Sequence, residues 1–140
     1  MEYEEKKSLN TKRIVNDFYS ALNERELDTV AGKFADQIDW YIPGEQSLAP
    51  WLGIRTQRYE VKDFFELLLQ NIEPVSLDIE HIVVEGNFAV ATGQFVSKML
   101  ATGIEYSSPF SAHFTIQGDF IVRYRFLEDS NGLVKALKGK

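Results

Sequence analysis

Two acidic residues, Glu128 and Asp129, close a stretch from Phe120 to Leu127 that is aromatic and aliphatic apart from Arg123 and Arg125. They are the best-placed groups in this chain for moving a proton. Desolvation beside aromatic walls disfavours the charged form of a carboxyl and raises its pKa toward the range useful for acid–base work. Each has a plain structural reading as well. Asp129-Ser130-Asn131 is a good N-cap for a terminal helix, and Glu128 reads equally as a solvated charge at the end of a strand.

Other polar groups that could hold a ligand are scattered. Tyr19 lies in a helical stretch, where its hydroxyl either donates to a ligand oxygen or reaches the surface. Gln94 offers a donor and an acceptor inside an otherwise apolar run, Phe88 to Val96; a buried amide of this kind needs a partner, from protein, water or ligand. Trp51 sits in a Gly/Pro-rich loop and reads either as a lid or as an anchor for that loop. There is no Cys, so disulfides, thiolate metal sites and Cys nucleophiles are excluded. The two His, His81 and His113, lack ligand spacing. Neither a metal nor a cofactor is therefore expected.

Net charge is −6 and the few basic pairs, such as Lys12-Arg13, are offset by nearby acids. A phosphate-binding face would be basic, so nucleic acid is not an expected partner. No apolar run approaches the ~20 residues of a membrane span, and the charged start, Met1 to Lys7, is unlike a signal peptide. A cytoplasmic protein with no membrane partner is expected.

The elements that must position these groups follow from periodicity. Ile14, Val15, Phe18, Tyr19 and Leu22 form one stripe, predicting a helix from Ser8 or Asn10 to Asn23, with Ser8, Asn10 or Thr11 as cap. A second helix is expected over Leu27 to Ala35, a short strand over Ile38 to Ile42, and a loop over Pro43 to Arg55. A third helix follows Thr56, with Val61, Phe64, Phe65, Leu68, Leu69 and Ile72 on one face and Pro74 as its stop. Four strands then read as 76–85, 88–101, 104–117 and 120–128, separated by Gly86-Asn87, Thr102-Gly103 and Gly118-Asp119, each a hairpin signal. A short terminal helix carries Leu133, Val134 and Leu137. One α+β domain over residues 1–140 is expected, with residues 1–9 and 134–140 flexible. Long antiparallel strands twist and curl. The concave face is where the helices bury their stripes, and an incompletely covered mouth is a pocket.

This order resembles the nuclear transport factor 2-like superfamily. Phe18-Tyr19-Ser20-Ala21-Leu22-Asn23, Leu27-Asp28 and Phe34-Ala35-Asp36 resemble its helical opening. His113-Phe114-Thr115-Ile116 and Ile121-Val122-Arg123-Tyr124 resemble its closing hairpin. The likeness spans about Asn10 to Val134 and is nearest to the SnoaL-like polyketide cyclase and ketosteroid isomerase-like branch. It implies a cone-shaped curved antiparallel sheet, a cystatin-like roll, with three N-terminal helices over its concave face. It also implies a homodimer packed through the outer sheet face, where His113 falls. The residues of the usual Tyr/Asp/Asp isomerase mechanism align with Phe18, Ile42 and Ala112, which are all apolar, so that mechanism is not expected. SnoaL-like cyclases resemble this chain in an acidic residue near its end, which carries over to Asp129.

By the same matching Trp40, Phe114, Gln94, Tyr124 and Phe126 face inward with Ile42 and Ala112. Trp40, Tyr19, Trp51, Gln94, Phe114, Tyr124 and Phe126 are then expected to bind a small hydrophobic organic molecule. Asp129 or Glu128 would move a proton in a cofactor-free isomerisation, ring closure or dehydration. A non-catalytic binding or stress-associated accessory protein, and a dimerisation module with a filled cone, are the alternatives.

Overall fold

The computed structural model describes residues 2–139; Met1 and Lys140, the outermost positions of the ends expected to be flexible, lie outside them. The first helix, α1 (Glu2–Asn23), starts well before Ser8 and carries Glu2, Glu4 and Glu5 in its first turn, where negative charge complements the helix dipole. The residues expected as its caps tie it to the sheet instead. Ser8 Oγ accepts from the Gly86 N–H at 3.0 Å. Thr11 Oγ1 donates toward the Gly86 carbonyl at 2.7 Å, and Asn10 Nδ2 donates to the Gly118 carbonyl at 2.9 Å. Helix α1 is thus pinned to two hairpin turns.

Helix α2 (Leu27–Gly32) is shorter than its apolar pattern suggests. Phe34 and Ala35 belong to β1 (Phe34–Ile42), because Phe34 pairs with Ile121 of the last strand. A strand, β2 (Gly53–Gln57), begins inside the segment expected to be loop and hairpins onto β1. Helix α3 (Tyr59–Asn71) runs directly into β3 (Ile72–Glu85). Pro74 is therefore a strand residue, accommodated on an edge strand beside a register shift. The hairpins predicted from the Gly-containing turns join β3, β4 (Phe88–Met99), β5 (Glu105–Gln117) and β6 (Phe120–Glu128), and α4 (Ser130–Lys138) follows.

The six strands form one curved, unclosed sheet ordered β2-β1-β6-β5-β4-β3. Strand β1 is parallel to β6 and all other neighbours are antiparallel. The architecture is the α+β roll that the resemblance implies. On edge strand β3 a second register shift separates Ile79 from His81. His81, just past that shift, is exposed.

Cross-strand partners share a face, so Phe110 and Ala112 of β5 carry Gly93 and Ala91 of β4 inward with them. At Gly93 a Cβ would collide with the backbone carbonyl of Asp78. Backbone cannot move aside as a side-chain tip can. Gly93→Ala is therefore expected to destabilise the fold by about 2 kcal/mol or more, measured as a lowered urea midpoint.

The apolar groups meet on the concave face, but not evenly. At one end Phe18, Phe34, Trp40, Phe114 and Tyr124 interlock, and the first four have at most 1% of their surface exposed. Trp40 lies 4.9 Å from Phe64 and 4.5 Å from Tyr124, ring centre to ring centre. The other end stays open.

Candidate functional site

The open end holds a cavity of about 460 Å³. Its walls are mostly apolar. Tyr19 and Leu22 come from α1, Phe65, Leu68 and Leu69 from α3, and Phe95 and Met99 from β4. Phe110 and Phe126 form a stacked pair, 5.4 Å apart and inclined by 13°. The exposed lining residues Asn23, Arg25, Val75, Ser76 and Leu77 mark the rim. Trp51, buried in the loop before β2, lines the wall beside Leu52.

Polar atoms are few and they converge. Among the described residues that line the cavity, Glu128 carries the only side-chain carboxyl. The alternation Tyr124, Phe126, Glu128 brings it to the inner face at the end of β6. Burial, the largest influence, lifts its pKa from 4.5 to about 7, against the lowering hydrogen bond from Tyr106. The Tyr106 hydroxyl lies 2.9 Å from Glu128 Oε1 and 2.7 Å from the Asp129 carbonyl. That hydroxyl has one proton and the carbonyl can only accept. Both contacts are satisfied at once when Glu128 is protonated and donates to Oη while Oη donates to the carbonyl. When Glu128 is ionised, Tyr106 donates to the carboxylate. The pair thus has two hydrogen-bonded states, one for each protonation state of Glu128.

The Tyr19 and Tyr124 hydroxyls complete the polar end. Both residues line the cavity. Burial holds the Tyr19 phenol well above its usual range. Burial, then the neighbouring Tyr19 and Glu128, does the same to Tyr124. Both phenols stay protonated at any ordinary pH and can only serve as neutral hydrogen-bond donors or acceptors. Among the described residues no three His, Asp or Glu side chains converge as metal ligands.

The sequence profile of the SnoaL-like domain matches residues 15–124. The chain belongs to the SnoaL-like domain family. Solved structures agree on the fold of this SnoaL-like domain. A nuclear transport factor 2-like protein from Burkholderia xenovorans is 18% identical, over 93% of this chain and 97% of its own, with a TM-score of 0.84. A proposed isomerase from Rhodopseudomonas palustris is 20% identical over 94% and 97% of the two chains, with a TM-score of 0.79. A proposed SnoaL-like polyketide cyclase from Mesorhizobium loti is 22% identical over 82% and 96%, with a TM-score of 0.69. None of the curated proteins matches the sequence. Among the described residues no helix is long and apolar enough to cross a membrane.

Of the residues expected to form a site in this SnoaL-like domain, Tyr19, Trp51, Tyr124, Phe126 and Glu128 line one cavity. Four others do not. Trp40 has no exposed surface, because β1 is flanked by β2 and β6 and roofed by Phe64 and Phe65 of α3. Phe114 is sealed beneath Phe18 and Tyr19 at 5.4 and 5.9 Å. Gln94 points outward and is exposed, since Gly93 and Phe95 take the inward positions on β4. Asp129 is exposed and its Oδ1 accepts from the Gly132 N–H at 3.0 Å, capping α4. The acid–base role carried over to it does not fit a side chain so engaged, and the carboxyl on the cavity wall belongs to Glu128. Asp129→Ala is expected to cost about 1 kcal/mol through the lost cap, measured as a lower denaturation midpoint at unchanged slope.

Sequence reasoning missed Tyr106, Phe95 and Arg25. The first two had a signal. Tyr106 shares the even-numbered inner face of β5 with Phe110, Ala112 and Phe114, and Phe95 shares the odd-numbered inner face of β4 with Ala89, Ala91 and Gly93. His113 lies on the outer face, half-buried, with its Nε2 2.8 Å from Ser111 Oγ and Arg125 opposite it on β6.

Proposed function

We propose that this SnoaL-like domain binds a hydrophobic, ring-bearing organic molecule in the cavity and moves a proton on it without a cofactor. Glu128 acts as the acid–base group. The observation that carries this reading is the single carboxyl on an apolar wall, hydrogen-bonded by Tyr106 and held near 7. A group with that pKa is a competent base in half its copies and a competent acid in the other half near neutrality.

The chemistry that fits is enolisation of a ring ketone. Ionised Glu128 takes a proton from the carbon beside the carbonyl. The C–H electron pair becomes the C=C of an enolate, and the carbonyl oxygen gathers the charge. Tyr19 and Tyr124 donate their hydroxyl protons to that oxygen in hydrogen bonds. Protonated Glu128 then returns its proton to a second carbon, which completes an isomerisation, or the enolate attacks within the same molecule. The likeness to a proposed isomerase and a proposed polyketide cyclase supports this class of reaction. The same reading seats a second copy of the chain on the outer sheet face, where Phe88 and Leu127 are 41% and 42% exposed, and places the protein in the cytoplasm.

A second reading, binding without catalysis, is favoured by one observation: Phe18, Ile42 and Ala112, the positions of the usual isomerase machinery, are buried and apolar. Proton NMR of β-tetralone in heavy water separates the two. The protein is expected to accelerate loss of the protons next to the carbonyl, and Glu128→Gln is expected not to. Saturating bound tetralone with washout equal in both proteins would overturn the catalytic reading and leave the binding one.

A further inference from the structure

Arg25 stands at the cavity rim, in the turn between α1 and α2. That turn is a Schellman C-cap. The Glu26 N–H donates to the Ala21 carbonyl at 2.9 Å, and the Arg25 N–H donates to the Leu22 carbonyl at 3.0 Å. The motif requires its central residue to be left-handed, and the position is normally filled by Gly or sometimes Asn. Arg25 adopts φ 55° there, the one non-glycine residue with positive φ among those described. An L side chain is strained in that conformation. Helix termination alone would be better served by glycine, and a strained residue of this kind directs attention to its side chain.

The surroundings indicate which. Among the described residues that line the cavity, Arg25 is the only Lys or Arg. None of the ion pairs and side-chain hydrogen bonds among the described residues engages it. Glu73 lines an adjoining shallow groove with Arg25, but the two make no ion pair. The cavity therefore has a distinct polarity: neutral donors and a protonatable carboxyl within, apolar walls, and an unneutralised cation at the rim.

We infer that the ligand of this cavity is an amphipathic acid, whose carboxylate or sulfonate pairs with Arg25 at the mouth while its rings occupy the apolar interior. This rests on the cavity being a ligand site, as proposed above. It makes Arg25 a specificity-determining residue that selects anionic over neutral ring compounds and sets which end of the molecule meets Glu128. Guanidinium suits the task because its planar fork matches a carboxylate or sulfonate with two parallel hydrogen bonds.

Two fluorescent dyes sharing one ring system provide the test: phenylnaphthylamine, which is neutral, and anilinonaphthalenesulfonate, which adds a sulfonate. Both are titrated into wild type, Arg25→Gln and Arg25→Gly, and competed against each other. The sulfonate is expected to displace the neutral dye, and both substitutions to weaken it roughly tenfold or more. Affinity for the neutral dye should be unchanged. Arg25→Gly should also raise Tm by about 3 °C by relieving the left-handed strain, a gain that a purely structural arginine at a favourable position would not show. If the neutral dye binds but the sulfonate is unaffected by either substitution, the inference fails and the ligand site stands. Equal weakening of both dyes reduces Arg25 to a shaper of the mouth and also overturns it. Wild type that binds neither dye overturns the inference and the ligand site together.

Discussion

Glu128→Gln is expected to slow proton transfer in the cavity by about 10²–10⁴-fold while leaving affinity for a neutral ring compound nearly unchanged. The amide has the size and shape of the carboxyl. Its NH₂ can donate to Tyr106 Oη, which still donates to the Asp129 carbonyl. The wall is preserved and only the transferable proton is lost. A fall in affinity matching the fall in rate would show instead that Glu128 shapes the site. The same substitution has a signature in stability. The folded pKa of about 7 lies above the ordinary 4.5, so between those values the native state holds a proton that the unfolded chain has released. Stability must then decline as pH rises through that interval. Below it the contribution is fully present; above it the native state bears the cost of a buried charge. Denaturant midpoints measured across the interval should slope downward in wild type, and the Glu128 contribution to the slope should vanish in Glu128→Gln. Identical slopes would place the carboxyl in water.

Trp40→Ala is expected to cost about 3–5 kcal/mol, the largest stability loss of any single substitution considered. The ring touches Phe34, Phe64, Phe65 and Tyr124, and joins β1, β6 and α3 where no solvent reaches. Removing it leaves a void that the flanking strands cannot close, because β1 is held by pairing on both edges. Trp40→Phe should cost much less. It keeps an aromatic body and deletes an indole N–H that is buried without a hydrogen-bond partner, which offsets part of the lost packing. Urea denaturation of both variants decides the matter. Losses of similar size would mean that the N–H carries more than the ring, and a mild effect of Trp40→Ala would mean that the narrow end of the cone is not solid.

How far the sequence disclosed this arrangement depended on the kind of signal. The meander was legible because Gly86, Gly103 and Gly118 mark its turns between long alternating runs, and α3 because Val61, Phe64, Phe65 and Leu68 fall on one face. Strand β2 was not. Gly53–Gln57 is five residues long and lies in a Pro/Gly-rich stretch, and only its pairing with β1 makes it a strand. The start of α1 was misplaced because Ser8, Asn10 and Thr11 resemble caps, whereas their hydrogen bonds go to hairpin turns far along the chain. In the site, strand parity was the better guide. Continued from Tyr124 and Phe126 it leads inward to Glu128, while family likeness favoured Asp129, whose side chain the Gly132 N–H claims for a cap. Parity also held the answer for β4. A hairpin between β4 and β5 with a turn of two or four residues pairs even with odd numbers, so Ala112 inward brings Gly93 and Phe95 inward and turns Gln94 out. Depth was beyond such reasoning: Trp40 and Tyr124 face the same way, yet one is sealed beneath Phe64 and Phe65 of α3 and the other lines the cavity.

The central claim is that Glu128 is a carboxyl on the wall of a hollow, apolar cavity. A carbon-detected NMR titration of the Glu128 carboxyl, in the free protein and with phenylnaphthylamine bound, tests it most directly. The expected inflection is near 7 in the free protein, moving higher when the dye displaces water from around the group. An inflection near 4.5 that the dye leaves in place would contradict the account.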